Sequence, residues 1–280
     1  MKIGVSSYSF HRCNANGKMT SIDYVVIAKE MGFDGIEFVS LTENTVEYAT
    51  KVKEKADEVG IEICCMCMRA QLIQETEEEK KAEIERIKKQ IDIAVALGVK
   101  LVRHDGFFSL KKYRSFDLCL PELGEVCREI SSYAEQYGIR TMIENHGWLC
   151  QGSERMEKIF NAVNYPNFGL LVDFGNFKGI DENSARAVAA LASYTIHAHV
   201  KDLKFYNYGD ENVPENAGRS RMCNRLMAVP AGEGDVNVAQ CVDILKNSGY
   251  DGYLIIEYEA AEDCMTGIKK SKDFIAKLIK

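Results

Sequence analysis

The stretch IRTMIENHGWLCQGSERMEKIFNAVNYPNFGLLVDFGNFKGIDENSARAVAALASYTIHAHVKD, residues 139–202, alternates three short apolar runs with two longer amphipathic segments. IRTMIEN, FGLLVDF and TIHAHVKD read as buried strands. Ser153–Val163 and Asn183–Ala192 carry helical spacing between them. Strand–helix alternation with fully buried strands implies a parallel sheet covered by helices on its faces.

The same rhythm extends in both directions. Upstream lie the strands KIGVSS, FDGIEFV, IEICCMCM and VKLVRH, with helices at Ile22–Met31, Val46–Val59, Glu77–Leu97 and Pro121–Tyr137. Gly60, Gly98 and Gly138 stop three of these helices. Downstream, Asn237–Asn247 is helical, DGYLIIEYE is a strand, and Thr266–Lys280 closes the chain as a helix. Eight βα units in 280 residues predict an α/β fold, a single (β/α)8 TIM barrel domain spanning 1–280. The rival is a doubly wound open sheet. No GxGxxG or GxxxxGKS turn follows any strand, so a nucleotide-binding version lacks its phosphate loop. The longest irregular stretch, Lys204–Asp235, reads as a lid or binding loop.

A net charge of -7 gives the chain no overall attraction for nucleic acid or an anionic membrane. No apolar run approaches the length of a membrane span. MKIGVSSYSF lacks a signal-peptide apolar region and reads as the first strand. The 10 cysteines read as small buried hydrophobes in a reducing compartment, which predicts a cytoplasmic protein without disulfides.

In a TIM barrel the C-terminal ends of the strands meet at one mouth. Four consecutive strands each bring a potential metal ligand there: Glu144 in TMIENHGW, Asp173 in LLVDFGN, His199 in HAHVKD and Glu257 in LIIEYE. Three carboxylates and one imidazole suit a single divalent ion, Mn2+ foremost, with Mg2+ or Co2+ as alternatives. Zn2+ more usually recruits extra His or Cys. Buried without a cation, the set carries a heavy desolvation cost.

IENHG, VDFGN, HAHVKD, PAGEGDVN and GYDGYLIIEYE together resemble the xylose isomerase-like TIM barrels, over nearly the whole chain. That group includes sugar and sugar-phosphate isomerases, ketose 3-epimerases, inosose dehydratases and endonuclease IV. The resemblance implies that Glu144, Asp173, His199 and Glu257 hold the metal. It also implies that Glu144 and Glu257 exchange a substrate proton, and that Asn176 stands where many ketose epimerases have a substrate-contacting histidine.

Other side chains at the predicted mouth have two readings each. His146 is a general acid or base, or a structural loop histidine. Lys201 steadies an oxyanion or pairs with a ligand carboxylate, and His197 sits one layer deeper as a supporting or core residue. Glu37, His104 with Asp105, Trp148, and Tyr8 with Phe10 are candidates for binding or walling the substrate. Asp202 is a site residue or a loop cap. Arg219 and Arg221 grip a phosphate or carboxylate, or stand solvated in the long loop.

The expected activity is metal-dependent isomerisation or epimerisation of a sugar or sugar phosphate, by carboxylate-mediated proton transfer through an enediolate. The alternative on the same scaffold is a lyase eliminating from a keto sugar, as in C-glycoside deglycosidases or inosose dehydratases. Repair of nucleic acid needs a trinuclear zinc cluster with more histidines than the 5 present. A non-catalytic binding barrel is the remaining reading. The expected partner is a small carbohydrate, with a homo-oligomer or a dedicated partner subunit left open.

Overall fold

The computed structural model describes all 280 residues. Its strands are β1 (Lys2–Ser6), β2 (Gly35–Phe38), β3 (Glu62–Met68), β4 (Leu101–His104), β5 (Arg140–Glu144), β6 (Phe168–Asp173), β7 (Thr195–Val200), β8 (Asp202–Tyr206), β9 (Gly218–Arg219), β10 (Arg225–Val229) and β11 (Tyr253–Ile256). β1 to β7 and β11 close into a parallel barrel in the order β1-β11-β7-β6-β5-β4-β3-β2. Closure is made where β1 pairs with both β2 and β11.

Eight helices surround it: α1 (Ser21–Glu30), α2 (Val46–Val59), α3 (Glu77–Ala96), α4 (Phe116–Glu135), α5 (Ser153–Val163), α6 (Ser184–Leu191), α7 (Val238–Asn247) and α8 (Cys264–Leu278). Local chemistry fixes their ends. Thr20 with Asp23 and Thr76 with Glu79 form capping boxes at the starts of α1 and α3. Gly60 ends α2 in the left-handed region at φ 71. α4 starts five residues before Pro121, the expected first residue. Its extra turn buries Cys119 and Phe116, the latter beside Phe107 at 5.9 Å between ring centroids.

Alternation along the strands makes two apolar layers. A cluster of 67 buried residues fills the space between barrel and helices. A smaller cluster, with Cys65, Cys67, Met142, Leu171 and Ile255, fills the barrel interior. Burying a side chain such as Leu171 contributes roughly 1.5–3 kcal/mol. The inward parity that holds these residues continues up β5, β6, β7 and β11 to Glu144, Asp173, His199 and Glu257. No helix is long and apolar enough to cross a membrane.

Two expectations need correction. The stretch after β7 is not irregular: β8, β10 and β9 form a three-stranded antiparallel sheet. Asp202 anchors its return, because its carboxylate accepts from the backbone N–H groups of Leu203, Gly232, Gly234 and Val236. It is therefore a loop-organising residue, and PAGEGDVN is the loop it organises. Cys13 and Cys264 form a disulfide with Cα atoms 6.1 Å apart, so not every cysteine is free. The other eight are free, and all but Cys223 are buried.

Candidate active site

Glu144, Asp173, His199 and Glu257 converge at the mouth, with one potential ligand atom from each lying within 4.8 Å of the others. They come from four adjacent strands, with Glu144 and Glu257 as the outer pair. Each is fixed from behind. Asp173 Oδ1 accepts from the N–H groups of Gly175 at 2.7 Å and Asn176 at 3.0 Å. Gly175 is required here, since a Cβ would lie 2.8 Å from the Lys201 side chain. Asn145 clamps the Asp173 backbone, accepting from its N–H at 2.7 Å and donating to its carbonyl at 2.9 Å. Glu144 accepts from Asn176 Nδ2 at 3.0 Å and pairs with Arg103.

His199 is oriented from below. Its Nε2 lies 3.0 Å from Glu37, while Nδ1 has no hydrogen-bond partner and faces Glu144 at 3.7 Å and Glu257 at 3.9 Å. His197 Nε2 also meets Glu37, at 2.9 Å. Burial alone would raise the Glu37 carboxyl, but the charge of His199 and the bonds from both histidines hold it well below its usual range. Burial pulls His199 down; Glu37, Cys67 and Glu144 reverse this and raise it well above its usual value.

Lys201 supplies the main positive charge. Its Nζ lies 2.6 Å from Glu257, 3.1 Å from Glu259 and 3.3 Å from Asp173. Burial would lower its pKa, but these acids raise it well above normal. Glu257 is pushed up by burial, yet Lys201 and His199 overcome this and hold it at about 2. Asp173 goes the other way. Burial, with the Glu257 and Glu144 charges adding to it against Lys201, pushes it up to about 7. Its Oδ2 is buried without a hydrogen bond. Two ligand atoms without a hydrogen bond, Asp173 Oδ2 (met only by the Lys201 ammonium at 3.3 Å) and His199 Nδ1, among crowded carboxylates are what a cation would satisfy. The residues therefore fit a divalent ion in an oxygen-rich shell.

A chamber of about 390 Å3 opens above this cluster, walled by Tyr8, Val39, Arg69, Phe108 and His146 among others. His146 Nδ1 is 2.9 Å from Asp105 and 3.3 Å from Arg103. Burial depresses His146, while the Asp105 bond and the Glu144 charge outweigh it and leave its pKa raised.

Several expected substrate contacts lie elsewhere. His104 points out of the barrel, buried against Phe168 at 6.4 Å between ring centroids, and burial drops it to about 4. The inward residues of that strand end are Arg103 and Asp105, and Arg103 was not among the expected candidates. Glu37 lies fully buried beneath His199 and does not line the chamber. Phe10 is buried against Tyr24, leaving Tyr8 alone at the wall. Trp148 stands half exposed at φ 65, outside the chamber lining, and its carbonyl accepts from Arg221. Asn176 and Lys201 do reach the site, 3.3 Å apart. Glu259 and Asn145 went unrecognised in the sequence. Glu259 shares the parity of Glu257, and Asn145 directly follows Glu144.

The chain is 24% identical over 266 residues to an L-ribulose-5-phosphate 3-epimerase of Salmonella heidelberg, covering 90% of this chain and 87% of that one. Among solved structures, the IolI protein with a bound zinc atom superposes with TM-score 0.77 at 17% identity, covering 100% and 98% of the two chains. The apo 3-keto-D-glucoside 4-epimerase YcjR of E. coli gives 0.72 at 18% identity, covering 99% of each. A profile of xylose isomerase-like TIM barrels matches residues 25–278, and with the closed barrel this makes the chain a member of the xylose isomerase-like TIM barrel family.

Proposed function

We propose that this protein is a divalent-metal-dependent epimerase or isomerase of keto sugars or their phosphates, moving a proton at the carbon next to a carbonyl. The observation that carries this reading is the pair of acids Glu144 and Glu257, set on the outer two of four adjacent strands with Asp173 and His199 between them. The Salmonella relative, an epimerase of a phosphorylated ketose by name, supports the reaction class.

Glu144, Asp173, His199 through Nδ1, and Glu257 would hold the ion. Their chemistry favours Mn2+, with Co2+, Mg2+ and Zn2+ as alternatives. When bound, the ion supplies Lewis acidity that acidifies the neighbouring C–H and stabilises the enediolate. The protein's own groups do the rest. Glu257, ionised at neutral pH and held by Lys201, removes or returns the proton on one side. Glu144, fixed by Arg103 and Asn176, serves the other. Lys201 adds positive charge where negative charge develops.

One observation favours a second reading. His146 faces the chamber with a raised pKa, so it can protonate a departing oxygen, which is what a lyase needs.

The test is product analysis on Mn2+-loaded protein with ketoses, ketose phosphates and 3-keto glycosides. A rearranged sugar formed by wild type and lost in Glu144→Gln and Glu257→Gln supports the epimerase. An eliminated aglycone or water supports the lyase. Turnover that survives both substitutions would refute the two-carboxylate scheme.

A further inference from the structure

A second chamber of about 300 Å3 adjoins the first and shares Lys201 and Glu259 with it. A ligand seated at the acid cluster can therefore extend past Lys201 into it. The inner chamber alone lies within the ordinary size range of small-molecule sites, so a monosaccharide leaves the outer one to another group. The inserted sheet builds much of the outer wall through Leu226, Met227 and Ala228.

The polar lining of this outer chamber says what that group is. Arg12 and Arg219 both line it, and both are exposed. Of the other arginines near the mouth, Arg103 pairs with Glu144 and Asp105, Arg221 donates to the Trp148 carbonyl, Arg225 donates to the Ala217 and Gly218 carbonyls, and Arg69, in the wall of the inner chamber, lies over the Phe108 ring at 4.9 Å. Glu259, the acid of the lining, is already paired with Lys201 at 3.1 Å. Arg12 and Arg219 have no hydrogen-bond or ion-pair partner in the protein. Two free guanidinium forks facing one chamber match the oxygens of a phosphate. A chain of net charge -7 repels an anionic substrate, so it needs such a local positive site to hold one.

We infer that the substrate carries a phosphate ester at the end remote from its reacting carbons, and that Arg12 and Arg219 bind this phosphate in the outer chamber. This rests on the epimerase reading for what lies at the other end. Arg12 reaches the site from the segment after β1, whose neighbour Cys13 is tied to Cys264 at the start of α8. Arg219 comes from β9. The inserted sheet thus makes the site selective for a phosphorylated sugar.

The test is binding, read by calorimetry on Mn2+-loaded wild type and an Arg12→Ala, Arg219→Ala variant, with a ketose 5-phosphate and the same ketose unphosphorylated. Wild type is expected to prefer the phosphate ester at least about tenfold, and the variant to lose most of that preference. Both arginines are exposed, and circular dichroism checks that the variant is folded. Inorganic phosphate alone, titrated into metal-free protein, provides a second arm that does not depend on the metal. It should bind wild type and not the variant, and more weakly than the ester binds loaded protein. Equal affinity for both sugars in wild type, or a preference unchanged in the variant, overturns the assignment. So does a neutral 3-keto glycoside that binds as tightly as the ester, because the outer chamber would then hold a sugar ring. Ester that binds with the expected preference but is not turned over upholds the phosphate site while failing the epimerase reading.

Discussion

Glu37 lies 3.0 Å below Nε2 of His199 and leaves Nδ1 as the ring atom that faces Glu144 and Glu257. This contact fixes both the tautomer and the tilt of the imidazole, as a buried carboxylate behind a metal-binding histidine does. Glu37→Gln keeps the size of the side chain and removes the charge. Mn2+ affinity is predicted to fall about 10–100-fold, with the circular dichroism spectrum retained. An unchanged dissociation constant by calorimetry would show that Glu37 does not orient His199.

Proton release should accompany metal binding. Burial and the charges of Glu257 and Glu144, opposed by Lys201, push Asp173 up to about 7 in the metal-free site. Below that pH the carboxyl holds a proton that a cation must displace. Apparent Mn2+ affinity is therefore predicted to fall at least about tenfold per pH unit below ~7, and to keep rising above it, because the Nδ1 proton of His199, whose pKa stands well above its usual value, must also leave. The metal-free fold should show the matching sign. Asp173 keeps its proton when folded and loses it when unfolded, so its contribution to stability declines as pH rises from the ordinary carboxylate range to about 7. Calorimetry at about pH 6, 7 and 8 checks the affinity, and a flat profile would contradict it.

Lys201 holds Glu257 ionised at 2.6 Å. Lys201→Met removes the largest force opposing burial of that carboxyl, so the Glu257 pKa rises. The acid limb of kcat/KM is predicted to move to higher pH, with turnover down by roughly 10²-fold. A variant with wild-type kcat and an unmoved acid limb would remove Lys201 from the mechanism.

Asp105 supports His146 at 2.9 Å, and that bond helps to overcome the depression caused by burial. Asp105→Asn keeps a polar partner and removes the charge. The limb of the pH–rate profile that reports His146 should shift down by about one unit, with a smaller change in KM than in kcat. If His146 is only a structural loop residue, the profile stays in place.

The fold and the convergence of three acids and one imidazole were legible because each of the four residues continues an apolar strand with a fixed period. The errors have geometric causes. His104 is the last residue of its strand, but inward parity belongs to Arg103 and Asp105, which alternation along VRHD would have marked. Glu37 is the last but one residue of β2, yet barrel strands are staggered, so a residue near a strand end is not always at the mouth. Its register partners are Ser6 and Cys65, and that height puts it under His199. The inserted sheet pairs Lys204 with Met227 across a long connection that lacks a hairpin turn signal. Cys13 and Cys264 are 251 residues apart and meet only because the barrel closes.

The most direct test is hydrogen exchange into substrate. Mn2+-loaded protein is incubated in D2O with ketose phosphates and free ketoses, and the recovered sugars are analysed by mass spectrometry and NMR. Deuterium at the carbon next to the carbonyl is predicted, dependent on metal and lost in the Glu144→Gln, Glu257→Gln double variant. Metal-loaded protein that binds these sugars yet incorporates no deuterium, or that exchanges equally well in the double variant, would contradict proton transfer by this pair.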